Sequence, residues 1–94
     1  MSISKFTTDK VKERVDIVEV IGDYVPLKKK GQNLWACCPF HGEKTPSFSL
    51  SPAKQIYKCF GCGKAGEPIQ FVMDIEGIGF QEAIRQLAGK YGIE

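Results

Sequence analysis

Apolar positions along the chain follow a helical period, then a strand period, then a helical period again. Val11, Val15 and Val18 recur at i, i+4 and i+7, one stripe of a helix. Thr8 or Asp9 is its expected cap, and Asp16-Ile17-Val18-Glu19 has the form of a capping box, so a second short helix restarts there and ends at Gly22. From Val25 the period falls to two. Val25-Pro26-Leu27 reads as a short edge strand, because proline removes a ladder donor, and Lys28 to Gly31 as a basic turn. Asn33 to Cys37, Ser47 to Leu50 and Gln55 to Cys59 follow as strands, the middle one half-buried by its alternation. After Gly66, Pro68 suits a first helical position. Phe71, Ile75 and Ile78 form an apolar stripe that Gly77 stops, and a last helix begins near Phe80, with Ile84, Leu87, Ala88 and Tyr91 on one face and Gly92 at its end. The expected architecture is α+β, a small antiparallel sheet over about 25–64 with helices over about 8–22 and 68–92, all in one domain spanning residues 1–94.

The cysteines change this picture. Cys38-Pro39-Phe40-His41-Gly42 and Cys59-Phe60-Gly61-Cys62-Gly63 each hold two soft ligands separated by two residues. That spacing lets both side chains of a pair meet one tetrahedral zinc ion from a tight turn. Glycine after each second ligand tolerates the positive φ of such knuckles. The candidate ligands are therefore Cys38, His41, Cys59 and Cys62, and the sheet reads as a zinc ribbon. Cys37 has the wrong spacing to His41, and alternation turns it away with Asn33 and Trp35, opposite Leu34, Ala36 and Cys38. A disulfide framework is the competing use of four cysteines in a short chain. Four protein ligands close the coordination sphere, so the single zinc is expected to be structural rather than catalytic. The chain's one histidine is spent on it, no phosphate loop of P-loop spacing is present, and Asp74 and Glu76 do not face each other on a helix. No catalytic residue is expected.

Charge singles out the same stretch. Net charge is only +2. Residues 26–64, however, carry seven lysines and one acid, Glu43, giving +6, against −1 for residues 1–25 and −3 for residues 65–94. Such a block is either a solvated face or a site for an anionic partner. Lys54, Ile56, Lys58 and Phe60 alternate to one side of the last strand, opposite Gln55, Tyr57 and Cys59. Ammonium groups mixed with apolar and aromatic surface suit single-stranded nucleic acid. Lys44 and Lys28 to Lys30 extend the track. Phe60 either stacks on bases or packs under the metal, and Trp35 is either on this surface or in the core. The start of the chain has no apolar signal-peptide region and no apolar run approaches the ~18 residues of a membrane helix, so reduced thiols and no membrane partner are expected.

The runs Leu27-Lys28-Lys29-Lys30-Gly31-Gln32-Asn33-Leu34, Cys38 to Phe48 and Ile56 to Gly63 resemble the N-terminal zinc-binding domain of bacterial replicative DNA primase. The likeness extends from Asp16 to the end of the chain, and the zinc motif followed by Glu43-Lys44-Thr45-Pro46-Ser47-Phe48 is its most specific part. The resemblance implies a zinc ribbon flanked by helices that grips single-stranded DNA template and helps select the start site for RNA primers. It implies a cytoplasmic setting at the replisome on the bacterial nucleoid. The partners would be an RNA polymerase domain, in cis or in trans, and the replicative helicase through the parent protein. The polymerase domain is not in this chain, so neither catalysis nor its Mg²⁺ is expected here. The zinc ligands carry over as Cys38, His41, Cys59 and Cys62, and the template contacts as Lys44, Lys54 and Lys58, with Ile56 between them and Lys30 and Gln32 beside them. Three positions depart from the family pattern: Lys58 where a histidine is common, Gln32 where an arginine is frequent, and Gly66-Glu67-Pro68 at a helix start that usually has a better cap. The alternatives are a general nucleic-acid-binding zinc ribbon and a structural adaptor whose sheet binds only protein.

Overall fold

A computed structural model describes residues 4–40 and 46–93. Its elements are α1 (Lys5–Arg14), α2 (Ile17–Gly22), β1 (Lys28–Lys30), β2 (Asn33–Ala36), β3 (Phe48–Ser51), β4 (Ile56–Cys59), β5 (Ala65–Gly66), α3 (Pro68–Glu76) and α4 (Phe80–Tyr91). The α+β expectation holds, with all four strand pairings antiparallel in the order β1-β2-β3-β4-β5. The chain divides into two compact units, residues 1–15 with 69–94, and residues 16–68.

In the first unit α1 packs on α4. The cap of α1 is Ser4, whose hydroxyl accepts from the Thr7 N–H at 3.2 Å, and not Thr8 or Asp9, which lie inside the helix. Val11 is its buried residue, and α4 buries Ala83, Ile84, Leu87 and Ala88. The Arg14 guanidinium lies 5.1 Å from the Tyr91 ring centre and so joins the two helices at their rim. On α3 the fully buried pair is Phe71 and Val72, whereas Ile75 and Ile78 are only half-buried.

The predicted stripe through Val11, Val15 and Val18 is broken. Val15 and Asp16 are extended, and Asp16 restarts the helix by accepting from the Val18 N–H at 2.9 Å. α2 then buries Ile17, Val20 and Ile21, a face rotated away from that stripe.

In the second unit, the edge strand is Lys28–Lys30 rather than Val25–Leu27, and the turn after it is Gly31-Gln32. Gly31 has φ +69°, which a glycine adopts without strain. β3 is the central strand, and its first three residues are all buried, Ser49 included, so it is covered on both sides rather than half-buried. Gln55 is not a strand residue. It takes φ +56° in the turn before β4, accepts from the Ile17 N–H at 2.8 Å and donates to the Pro52 carbonyl at 2.9 Å. One amide thus fastens the start of α2 to the β3–β4 turn. β5, two residues that pair with Tyr57 and Lys58, was not foreseen from the sequence.

Register sorts the side chains into two faces, because cross-strand partners share a side. Leu34, Leu50, Tyr57 and Gly66 form one row, and Ala36, Phe48 and Cys59 the next on the same side. This is the core face: Phe48, Leu50, Tyr57 and Cys59 are each no more than 1% exposed. The Phe48 and Tyr57 rings stack at 5.4 Å. Lys28, Trp35, Ser49, Lys58 and Ala65 form a row on the other side. Phe48→Ala is expected to lower stability by about 3–5 kcal/mol, and Ile56→Ala, on the open side, by less than about 1 kcal/mol. Urea denaturation of both variants beside the parent checks the contrast.

Candidate metal centre and the open sheet face

Cys38 lies two residues beyond β2, Cys59 is the last residue of β4, and Cys62 is in the turn after it. Their sulfur atoms lie within 4.8 Å of one another. Cys38 Sγ and Cys62 Sγ are 3.8 Å apart. Two sulfurs bound to one tetrahedral zinc at about 2.3 Å stand about 3.8 Å apart, so this pair already has the needed separation. His41, the expected fourth ligand, lies outside the described residues, as does Lys44. Cys37 is exposed and stands apart from the cluster, and all four cysteines are unbridged.

The turn after β4 is closed by backbone hydrogen bonds around Cys59. The Gly63 N–H donates to the Cys59 carbonyl at 2.8 Å, and Gly63 has φ +80°. The Cys59 N–H donates to the Lys64 carbonyl at 2.8 Å and closes the loop.

Burial and hydrogen bonding act oppositely on the two buried thiols, Cys38 and Cys59. Burial pushes the Cys38 thiol up to about 12, and its donation toward the Cys59 and Cys62 sulfurs adds to that, against an opposing Phe40 N–H. Burial also acts to raise Cys59. It is outweighed by the backbone N–H groups of Cys62 and Gly61, the Ser47 hydroxyl and the Cys38 thiol, and Cys59 falls to about 7. Ser47 Oγ lies 3.6 Å from Cys59 Sγ. Of the two buried thiols Cys59 is thus the more readily ionised and Cys38 the one that keeps its proton, with backbone N–H donors toward each sulfur. A dication that displaces the Cys38 proton fits that arrangement.

The sheet's other face is built differently. Lys58 and Ile56 are exposed, as alternation along β4 required, and so is Lys54 in the preceding turn. Phe60 is 64% exposed, on the side away from the cluster. Its ring stacks with that of Trp35 at 6.0 Å and 24°, and Lys58 Nζ lies 5.3 Å from its centre. Trp35 therefore belongs to the open face and is half-buried there. Lys28 and Lys30 share that side of the sheet through their partners Trp35 and Asn33. Beside them an open groove of about 1070 Å³ is lined by Val25, Pro26, Lys28, Gln32, Asn33 and Trp35, among others. The Trp35–Phe60 stack and the groove had no counterpart in the sequence reading. Alternation places each ring on a side, but only the pairing of β2 with β4 through β3 brings them together.

The sequence model of the CHC2 zinc finger family matches residues 3–94. A DNA primase of Geobacillus stearothermophilus is 56% identical over 92 residues, 98% of this chain and 15% of that protein. A DNA primase of Neisseria meningitidis is 54% identical over 85 residues, 90% of this chain and 14% of that protein. A crystal structure of the Aquifex aeolicus primase, comprising its zinc-binding and RNA polymerase domains, aligns with a TM-score of 0.88 and 47% identity over 98% of this chain and 23% of that one. The chain thus spans about a seventh of the length of these curated relatives. Among the described residues, no helix is long and apolar enough to cross a membrane.

Because the Cys38 thiol keeps its proton at neutral pH, metal uptake must release it. Zinc affinity is expected to fall at least about tenfold for each pH unit lost between 8 and 6. Titration against a chromophoric chelator at several pH values measures this, and a flat profile would show that no ligand proton is displaced.

Proposed function

The chain belongs to the CHC2 zinc finger family, and on that premise we propose that it is the template-binding module of a DNA primase, folded around one structural zinc ion and gripping single-stranded DNA on its open sheet face. Cys38, Cys59 and Cys62 hold the metal, with His41 as fourth ligand. Zinc supplies a rigid cross-link between the end of β2 and the end of β4, and no chemistry on the template. Lys54, Lys58 and Lys30 neutralise phosphates, joined by Lys44, while Ile56, Phe60 and Trp35 offer flat or apolar surface to bases. Gln32 completes the binding set.

The observation that carries this reading is the division of labour between the two sides of one small sheet. The sulfur cluster and the aromatic core occupy one side, and exposed lysines flank a stacked aromatic pair on the other. A protein-binding adaptor has no need of that mixture, whereas an unpaired strand has phosphates for the lysines and π-faces for the rings.

In the parent enzyme, RNA primer synthesis and its Mg²⁺ belong to an RNA polymerase domain that this module serves in cis or in trans. The module presents the template and biases the start site. Recruitment by the replicative helicase brings the whole to the replisome on the bacterial nucleoid.

The double variant Lys54→Ala/Lys58→Ala is expected to weaken binding to short single strands and to flatten the slope of log K against log salt by roughly 1.4, about 0.7 for each phosphate no longer neutralised. Its zinc content should be unchanged. Fluorescence anisotropy at several salt concentrations, with elemental analysis of the same samples, measures both. Unaltered affinity and slope would exclude this face. Stimulation of a polymerase domain added in trans distinguishes a primase module from a general nucleic-acid-binding ribbon.

A further inference from the structure

Lysines and aromatic rings hold a strand but do not read it, because every nucleotide has a phosphate and a π-face. Reading requires donors and acceptors placed at base edges. On the open side of the sheet, the neutral amides that meet this requirement lie together at one place, the β1–β2 turn. Gln32 is exposed in that turn and Asn33 is the first residue of β2, and both line the groove beside Trp35. Among the described residues, neither amide side chain has a hydrogen-bond partner, so both keep their donor and acceptor for a ligand. Asn33 and Trp35 share a side of β2, two residues apart, and Lys30 and Lys28 stand opposite them on β1.

We propose that this groove receives one unpaired nucleobase of the bound strand, packed against Trp35 and read at its edge by the amides of Gln32 and Asn33. The inference rests on the template-binding reading and deepens it by naming the residues that set base preference. At about 1070 Å³ the groove lies just above the usual range of ligand sites, roughly 300–1,000 Å³. A base with its sugar therefore enters without repacking the core. The occupant is anionic by the charge around it. Lys28, Lys29 and Lys30 border the groove, and among the described residues no acidic one lines it. A nucleobase fits better than an acidic peptide because the floor combines an indole with two amides, whereas a carboxylate calls for charge alone. The strand continues from the groove onto the Trp35–Phe60 stack and Lys58, which form one surface with it. The Gln32 amide both donates and accepts, which a lysine at the groove's rim cannot do.

The test uses the zinc-loaded chain and short oligothymidylates that carry each of the four bases at one central position, titrated by anisotropy at two ionic strengths. The parent should show a spread of affinities across the four. Gln32→Ala/Asn33→Ala should shrink that spread about fivefold or more while leaving zinc content and salt slope unchanged. Gln32→Glu, which keeps the shape and loses the donor, should reorder the preferences. Lys58→Ala should weaken all four equally. A parent without any spread, or an amide double variant with the parent's spread, overturns the groove assignment while the template reading stands. Absence of any salt-dependent binding by the parent overturns the template reading itself. Competition by polyglutamate as effective as that of an oligonucleotide of equal charge would assign the groove to an acidic peptide and overturn the proposal.

Discussion

Cys38 follows β2 and Cys59 ends β4, and these two strands exchange no hydrogen bonds because β3 lies between them. The sulfur cluster is therefore a tie across the central strand, at the end of the sheet where the chain twice leaves it. A five-strand sheet of two to four residues per strand has little ladder to hold its register. Its core face amounts to Leu50, Phe48, Tyr57 and a few neighbours. In so small a unit a metal cross-link contributes folding free energy that the apolar core does not supply. Everything on the opposite face depends on that tie, since Trp35 of β2 meets Phe60 just past β4 only while the two strands hold their places on either side of β3.

The Cys38, Cys59 and Cys62 cluster and the fold class were legible because they are written locally, while His41 lies outside the described residues. Two ligands three positions apart need nothing from the rest of the chain, and alternation along Ile56-Tyr57-Lys58-Cys59 correctly separated the exposed from the buried side chains. The misses share one cause, which is that pairing is not local. Three consecutive lysines show no apolar alternation, so β1 reads as a turn, and only its ladder to Asn33–Trp35 makes it a strand. β5 is two residues held by β4. Ser47-Phe48-Ser49-Leu50 looks half-buried by composition, yet the central position covers Ser49 as well. Gln55 in a left-handed turn is intelligible only with the Ile17 N–H that its side chain satisfies. The helix break at Val15 was signalled by Asp16, while the cap at Ser4 was passed over because the apolar stripe begins later than the helix does.

An edge strand of three lysines also solves a problem that any small open sheet has. Its unpaired N–H and C=O groups invite another strand, and charged side chains along the edge oppose that. The same lysines border the groove, so under the proposed reading one feature would both guard the edge and attract an anion. Neither role accounts for the other, and removing the positive charge here weakens both at once.

The proposed centre poses an electrostatic question of its own. Three thiolates and a neutral imidazole around Zn²⁺ leave a single net negative charge, an unfavourable neighbour for a phosphate. The fold separates the two. Cys38 and Cys59 are buried on the core side, whereas Lys58, one residue before Cys59, points out the other way. In the strand period, adjacent residues face opposite sides. A cluster cysteine and a proposed phosphate-contacting lysine can therefore be sequence neighbours and still be shielded from each other by the sheet between them. Had the second pair been carried on a helix, Lys58 and Cys62 would have shared a face, and the lysine's charge would have been spent on the sulfur beside it.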